Sequence, residues 1–119
     1  MSADREAVYQ LDVVAPGEPR VCHRVTLRGS ASFERLHRVL EETFDQAPSQ
    51  RYQFVVGEEL ISELDRQVAW FFRMGVDARG ARLDRYLSGA GDEFSYTHDY
   101  AGFGEHAVRV ASVSATDAT

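Results

Sequence analysis

Apolar and polar residues alternate in five short segments of the chain, the pattern of strands that bury one face only. The first two segments flank residues 15–19 (Ala-Pro-Gly-Glu-Pro), whose turn-forming composition predicts an antiparallel hairpin. One-sided burial is typical of antiparallel sheets, so the alternation predicts a mostly antiparallel sheet. The predicted strands are residues 8–14, 21–28, 51–57, 93–99 and 106–111.

Residues 32–44 show the 3.6-residue period of an amphipathic helix. Ser32 is a suitable N-cap, Glu34 places an acid in the first turn, and Pro48 marks the end. We expect this main helix to pack on one face of the sheet, with a short helix near 82–88, giving an α+β fold. The apolar stripe is Phe33, Leu36, Leu40 and Phe44, with His37 at its boundary and Arg35, Arg38, Glu41 and Glu42 mostly opposite.

The middle and the ends of the chain are less regular. Residues 68–74 form a continuous apolar run with three adjacent aromatic residues, which predicts a buried strand. Residues 58–63 fit either a short helical turn or a pair of strands. The ends, 1–7 and 112–119, are predicted to be flexible and disordered tails, so residues 8–111 form a single domain.

Charge restricts the partners that the protein can have. The net charge is −6, with 19 acidic and 13 basic residues scattered along the chain. A nucleic-acid duplex is densely negative, so direct binding is disfavoured, whereas contact with a protein partner or self-association is compatible with this charge. No apolar run approaches the length of a membrane span and the N-terminus has no apolar signal region. We therefore expect a cytoplasmic protein with no membrane role.

The residue types that the chain lacks exclude several kinds of catalytic and metal site. There is no Lys, which excludes Schiff-base chemistry and a P-loop lysine, and Cys22 is the single cysteine. One cysteine cannot form an intramolecular disulfide or a multi-cysteine zinc site. The absence of Lys and Asn, with one Ile, indicates a GC-rich bacterial genome. No cofactor is expected.

The densest group of titratable residues lies near the end of the chain, at His98, Asp99, Glu105 and His106. Imidazole and carboxylate could bind zinc, iron or manganese, or His106 could act in acid-base catalysis with Asp99 as its orienting partner. Consecutive strand residues point to opposite faces, which separates Glu105 from His106. A structural role is therefore favoured over a metal-dependent or acid-base enzyme using Asp99, Glu105 and His106.

Two aromatic residues, Tyr100 and Phe103, flank the predicted turn between the last two strands. Loop tips are normally polar, so these rings either fold back on the core or form a contact patch. Aromatic side chains are favoured anchors at protein interfaces. Tyr100 and Phe103 are thus the predicted binding residues.

The same hairpin carries a family resemblance. Residues 98–106 (His-Asp-Tyr-Ala-Gly-Phe-Gly-Glu-His) keep the first acid, an aromatic and the final His of the pattern Tyr-Asp-Phe-Gly-Asp-x-Trp-x-His. Ala101, Gly102 and Gly104 replace its Gly, second acid and Trp. Residues 33–40 also match a Leu-x-x-Leu-His-x-x-Leu/Ile helix. In these motifs, in order along nearly the whole chain, the sequence resembles the plasmid Ri ORF-3-like family, which includes passenger proteins of insertion elements.

The resemblance implies a compact α+β domain and no established activity. Because the second acid and the Trp are absent, any site that the fuller motif builds is incomplete in this chain. Together with the lack of a complete catalytic set, this predicts a non-enzymatic, acidic binding or regulatory domain that acts through protein-protein contact.

Overall fold

The structure, a computed structural model, describes residues 5–17, 21–49, 51–63, 75–98 and 105–117. Within these ranges the chain forms seven strands and two helices. In chain order they are β1 (Arg5–Ala15), β2 (Val21–Arg28), α1 (Phe33–Thr43), β3 (Tyr52–Val56), β4 (Glu59–Ser62), β5 (Val76–Asp77), α2 (Leu83–Tyr86), β6 (Glu93–His98) and β7 (His106–Asp117).

All seven strands belong to one sheet, in the order β2-β1-β7-β6-β3-β4-β5. Each neighbouring pair is antiparallel except β4 and β5, which run parallel. The long strand β7 lies between β1 and β6, so Val108 is opposite Val13 on one side and Phe94 on the other. The centre of the sheet is thus formed by strands that are far apart in sequence.

Helix α1 covers one face of this sheet, because its apolar stripe and the alternating apolar residues of the strands bury each other. Ser32 caps the helix by accepting a hydrogen bond from the Arg35 backbone N–H at 3.0 Å. Phe33 packs edge to face on Phe54, with ring centroids 5.1 Å apart. The fully buried residues of this interface include Leu11, Val13, Phe33, Leu36, Leu40, Phe54, Tyr96 and Val110.

The predicted fold class is wrong. A mostly antiparallel α+β sheet with one main helix at about 32–44 was expected, but the chain is dominated by a mixed seven-stranded sheet with two short helices. The difference comes from strands β4 and β5, which are too short to show a recognisable period. Their parallel pairing depends on a long-range connection that local periodicity does not record.

The strands at both ends also extend past the predicted limits of the domain. Arg5 pairs with Asp117, so residues predicted as tails belong to β1 and β7. Residues 112–117 (Ser-Val-Ser-Ala-Thr-Asp) are mostly small or polar, and Val113, their one large apolar residue, is exposed, yet the backbone groups of this segment find hydrogen-bond partners along β1. The predicted strand at 68–74 lies outside the described residues. In the described ranges, no helix has both the length and the apolar character needed to cross a bilayer.

Candidate functional site

Helix α1 places His37 and Glu41 one turn apart on its sheet-facing side, where both are buried. Glu41 Oε2 accepts a hydrogen bond from the Ser49 backbone N–H at 2.7 Å. The same oxygen lies 3.2 Å from His37 Nε2 and 3.1 Å from His98 Nε2. We call His37, Glu41 and His98 the histidine–glutamate cluster.

The ring of His37 is held at both of its nitrogens. Its Nε2 lies 2.7 Å from the Ser49 carbonyl oxygen, and its Nδ1 lies 2.8 Å from the hydroxyl of Tyr96. A carbonyl can only accept, so Nε2 carries the proton and Nδ1 of the neutral ring accepts from Tyr96. The imidazole also stacks on Tyr52, with 3.5 Å between ring centroids and 10° between planes. Strands β3 and β6 therefore fix the orientation of this side chain.

Electrostatics favour a neutral His37 beside an ionised Glu41. Burial lowers the pKa of His37 below its usual value, because the charged form loses hydration. Burial raises the pKa of Glu41, but hydrogen bonds from the Ser49 backbone and from His98 outweigh it and leave that pKa lowered. Arg38 adds positive charge, with Nη1 3.3 Å from Glu41 Oε1. The hydrogen bonds and the nearby positive charge thus stabilise the ionised form of the Glu41 carboxylate.

The cluster is best explained as a set of polar contacts that hold α1 against the sheet. Buried polar groups are costly unless they are hydrogen-bonded, and here each member contacts another group of the protein. In the parts of the chain that the structure describes, no group of three or more His, Cys, Asp or Glu side chains is arranged to hold a metal ion. The arrangement fixes the second half of the helix over β3 and β6.

The structure describes two of the predicted site residues, Glu105 and His106, and their surroundings differ. Glu105 is exposed, whereas His106 is 5% exposed and faces α1, with its ring 5.1 Å from Phe44 and 5.3 Å from Tyr96 between centroids. Burial lowers the pKa of His106, and its Nδ1 has no hydrogen-bond partner among the described residues. The remaining predicted residues, Asp99, Tyr100 and Phe103, lie outside the described residues.

Sequence reasoning missed the members of the cluster that lie on α1. His37 was expected at the boundary of the apolar stripe and Glu41 on its polar side, but both are buried. The available signal was their spacing of four residues, which places an imidazole and a carboxylate on one helix face. Their partners Ser49 and His98 come from elsewhere in the chain, so the spacing alone did not identify a cluster.

A second feature is a groove of about 740 Å³ on the face of the sheet opposite α1. We call this face the open face. Its lining comes from strands β1, β2, β3, β6 and β7 together with Gly57 and Glu105. Strand alternation turns Ala107 and Arg109 toward this face while Val108 is buried beneath the helix. No described helix covers the groove's lining residues on this side.

Two rows of side chains cross the open face in register. The uncharged central row has one residue from each of the strands β2, β1, β7, β6, β3 and β4, and each residue lies opposite the next. The charged row has one residue from each of β2, β1, β7 and β6 in the same way. The Arg24 and Asp12 side chains form an ion pair at 2.7 Å. The central row is Cys22, Val14, Ala107, Ser95, Val55 and Leu60, and the charged row is Arg24, Asp12, Arg109 and Glu93.

These features define a small domain built on one mixed sheet, with a polar cluster under its helix and a groove on its open face. Residues 7–119 match the family of plasmid pRiA4b ORF-3-like proteins. The chain belongs to this family, and the prediction made from the sequence resemblance is confirmed.

The fold is also similar to a solved structure. A crystal structure of a protein of unknown function from Methanosarcina mazei Go1 matches with a TM-score of 0.76 and 21% identity. The match covers 94% of this chain and 64% of that protein, so the chain spans less than two thirds of its relative. At this identity the likeness shows a shared fold. No curated protein matches the sequence significantly.

Proposed function

We propose that this protein is a non-enzymatic binding domain and that a protein partner docks on its open face. The observation that carries the proposal is the groove across the sheet, about 740 Å³ in volume, on the side away from α1. A sheet that buries one face against a helix and presents a grooved, partly apolar second face has a surface suited to association.

The side chains of the open face support the proposal. Val55 and Leu60 are 37% and 39% exposed and lie opposite each other on β3 and β4. The uncharged central row continues from them to β2, and the charged row runs beside it. An apolar centre bordered by polar groups is typical of protein interfaces.

Support for the alternative, a metal-dependent or acid-base enzyme using Asp99, Glu105 and His106, is weaker. Glu105 is exposed, whereas the His106 ring is buried against Phe44 and Tyr96. Acid-base catalysis requires the participating groups to reach the same reacting atoms. The binding function also needs no catalytic set, and the family motif in this hairpin is incomplete.

Photo-crosslinking in the host cell tests the proposed function. A photoreactive residue is introduced at Val55 on the open face, and a matched control is placed at the exposed Glu42 of α1. We expect position 55 to give crosslinks to one protein or a small set, identified by mass spectrometry, and crosslinks to a second copy of the chain count among them. Identical crosslinking patterns at positions 55 and 42 would overturn the proposal.

A further inference from the structure

We infer that the partner of the open face is a second copy of this chain, bound through a two-fold axis that runs along the strands between β1 and β7. The inference rests on the proposed function, because it requires the open face to be a docking surface. It adds the identity of the partner and the symmetry of the complex.

The order of the charged row carries the inference. Across the strands β2, β1, β7 and β6 the row reads positive, negative, positive, negative: Arg24, Asp12, Arg109 and Glu93. A two-fold axis parallel to the strands and between β1 and β7 reverses this order in the facing copy. Arg24 then faces Glu93 of the partner subunit, and Asp12 faces Arg109 of the partner subunit. All four positions meet the opposite charge.

Other symmetric arrangements of this row are less favourable. A two-fold axis along the row, perpendicular to the strands, places each charge opposite its own copy. Like charges that meet across an interface oppose association, so this arrangement is electrostatically unfavourable. The charge order therefore specifies one orientation of two facing sheets, with the isologous contacts expected of a two-fold dimer.

The central row is compatible with the same axis. Val14 faces Ala107 of the partner subunit, and Cys22 faces Ser95 of the partner subunit, so uncharged side chains meet across the four strands β2, β1, β7 and β6. Val55 and Leu60, on β3 and β4, extend past the edge strand β2 of the other copy. Facing sheets pack about 10 Å apart with their strands within about 30° of each other, which a two-fold axis along the strands allows. The groove above Ala107 and Ser95 offers space for the larger side chains of the other copy.

Net charge does not prevent this association. Each chain carries a net charge of −6, but the charged row itself has two basic and two acidic residues and sums to zero. Repulsion between the remaining charges is screened beyond about 8 Å at physiological ionic strength. Arg24 already pairs with Asp12. Because its guanidinium has five N–H donors, Arg24 can also donate a hydrogen bond to an acceptor of the partner subunit.

The decisive pair is Arg24 and Glu93, because it cannot form within one chain. Their strands, β2 and β6, are three positions apart in the sheet, which at about 4.8 Å per strand separates them by roughly 14 Å. An energetic coupling between these two residues would therefore report a contact between copies.

Charge reversal with mixing tests the dimer. Arg24→Glu places two carboxylates against each other at each end of the interface, and Glu93→Arg places two guanidinium groups there, so both variants should lose at least about tenfold in self-association. In an equimolar mixture of the two variants, the heterodimer has one end with two introduced charges of opposite sign and one end with the native pair. Sedimentation velocity should therefore show dimers again.

Two further samples complete this experiment. The control Arg35→Glu, on the exposed side of α1, should dimerise like the wild type. Asp12→Arg mixed with Arg109→Glu provides an independent second pair by the same logic, because Asp12 faces Arg109 of the partner subunit. Recovery in both mixtures would locate two separate contacts of the same interface.

The outcomes separate this inference from the proposed function. Dimeric wild type, weakened single variants and recovery on mixing would support the dimer. A wild-type chain that remains monomeric at about 100 µM, well above the dissociation constants typical of specific complexes, would overturn it. In that case, open-face crosslinks to a different protein would leave the proposed function intact. A wild-type dimer whose variants fail to recover on mixing, in both pairs, would overturn the proposed axis.

Discussion

Removing the carboxylate of Glu41 should destabilise the protein more than any single exposed substitution. Glu41 is 4% exposed, and its oxygens lie within 3.3 Å of Ser49 N, His37 Nε2, His98 Nε2 and Arg38 Nη1. Hydrogen bonds to a charged group contribute about 1.5–3 kcal/mol each, and the Glu41 carboxylate accepts one from the Ser49 backbone and another from His98. We therefore expect Glu41→Ala to lower the free energy of unfolding by about 3–5 kcal/mol.

The assay is urea denaturation at pH 7.5, followed by circular dichroism. Glu42→Ala is the matched control, since Glu42 is the next residue of α1 and is exposed, so its free energy of unfolding should change by less than about 0.5 kcal/mol. Glu41→Gln keeps the shape and one acceptor, and its effect should lie between the two. A loss below about 1 kcal/mol for Glu41→Ala would refute the view that the cluster ties α1 to the sheet.

Three further predictions concern the core and the buried imidazoles. Leu40→Ala should lower the free energy of unfolding by about 2–5 kcal/mol, because Leu40 is fully buried; an unchanged urea midpoint would contradict its place in the core. Gly29→Ala should cost about 1–3 kcal/mol in the same assay, since a Cβ there would lie 2.9 Å from Tyr9 Cε1; a neutral result would refute the close approach. Burial lowers the pKa of His37 and His106 below the usual 6.5, so the unfolded chain binds more protons below that pH. The urea midpoint should therefore be constant above about pH 7 and decrease as the pH falls from about 6.5 toward 5.5, and a flat profile would contradict the neutral, buried imidazoles.

The long strands and α1 could be located from sequence because their burial is recorded in local periodicity. Leu11 and Val13 alternate with polar neighbours, and Phe33, Leu36 and Leu40 recur at helical spacing, so one face of each element is recognisable. β4 and β5 could not be located in this way, since four and two residues are too few to establish a period. The end of β7 consists mostly of small or polar residues, and its pairing with β1 is decided by backbone hydrogen bonds.

The two candidate sites could not be predicted from the sequence for a different reason, because each combines residues from distant segments of the chain. Burial of Glu41 depends on partners such as Ser49 and His98, which α1 meets only after the sheet has formed. The rows of the open face combine one residue from each of several strands, so they exist only for one strand order and one register. Arg24 and Glu93 are far apart in the sequence, yet they lie in one row across the sheet.

Substitution at the centre of the groove tests the central claim, that the open face is a docking surface. Ala107 is exposed on β7 between Val14 and Ser95, so Ala107→Arg fills the groove without entering the core. Its complex formation, with a second copy or with the partner crosslinked at position 55, should weaken at least about tenfold because a cation is buried at the interface. Its free energy of unfolding should stay within about 0.5 kcal/mol of the wild type. Unchanged complex formation by a folded Ala107→Arg protein would contradict the account.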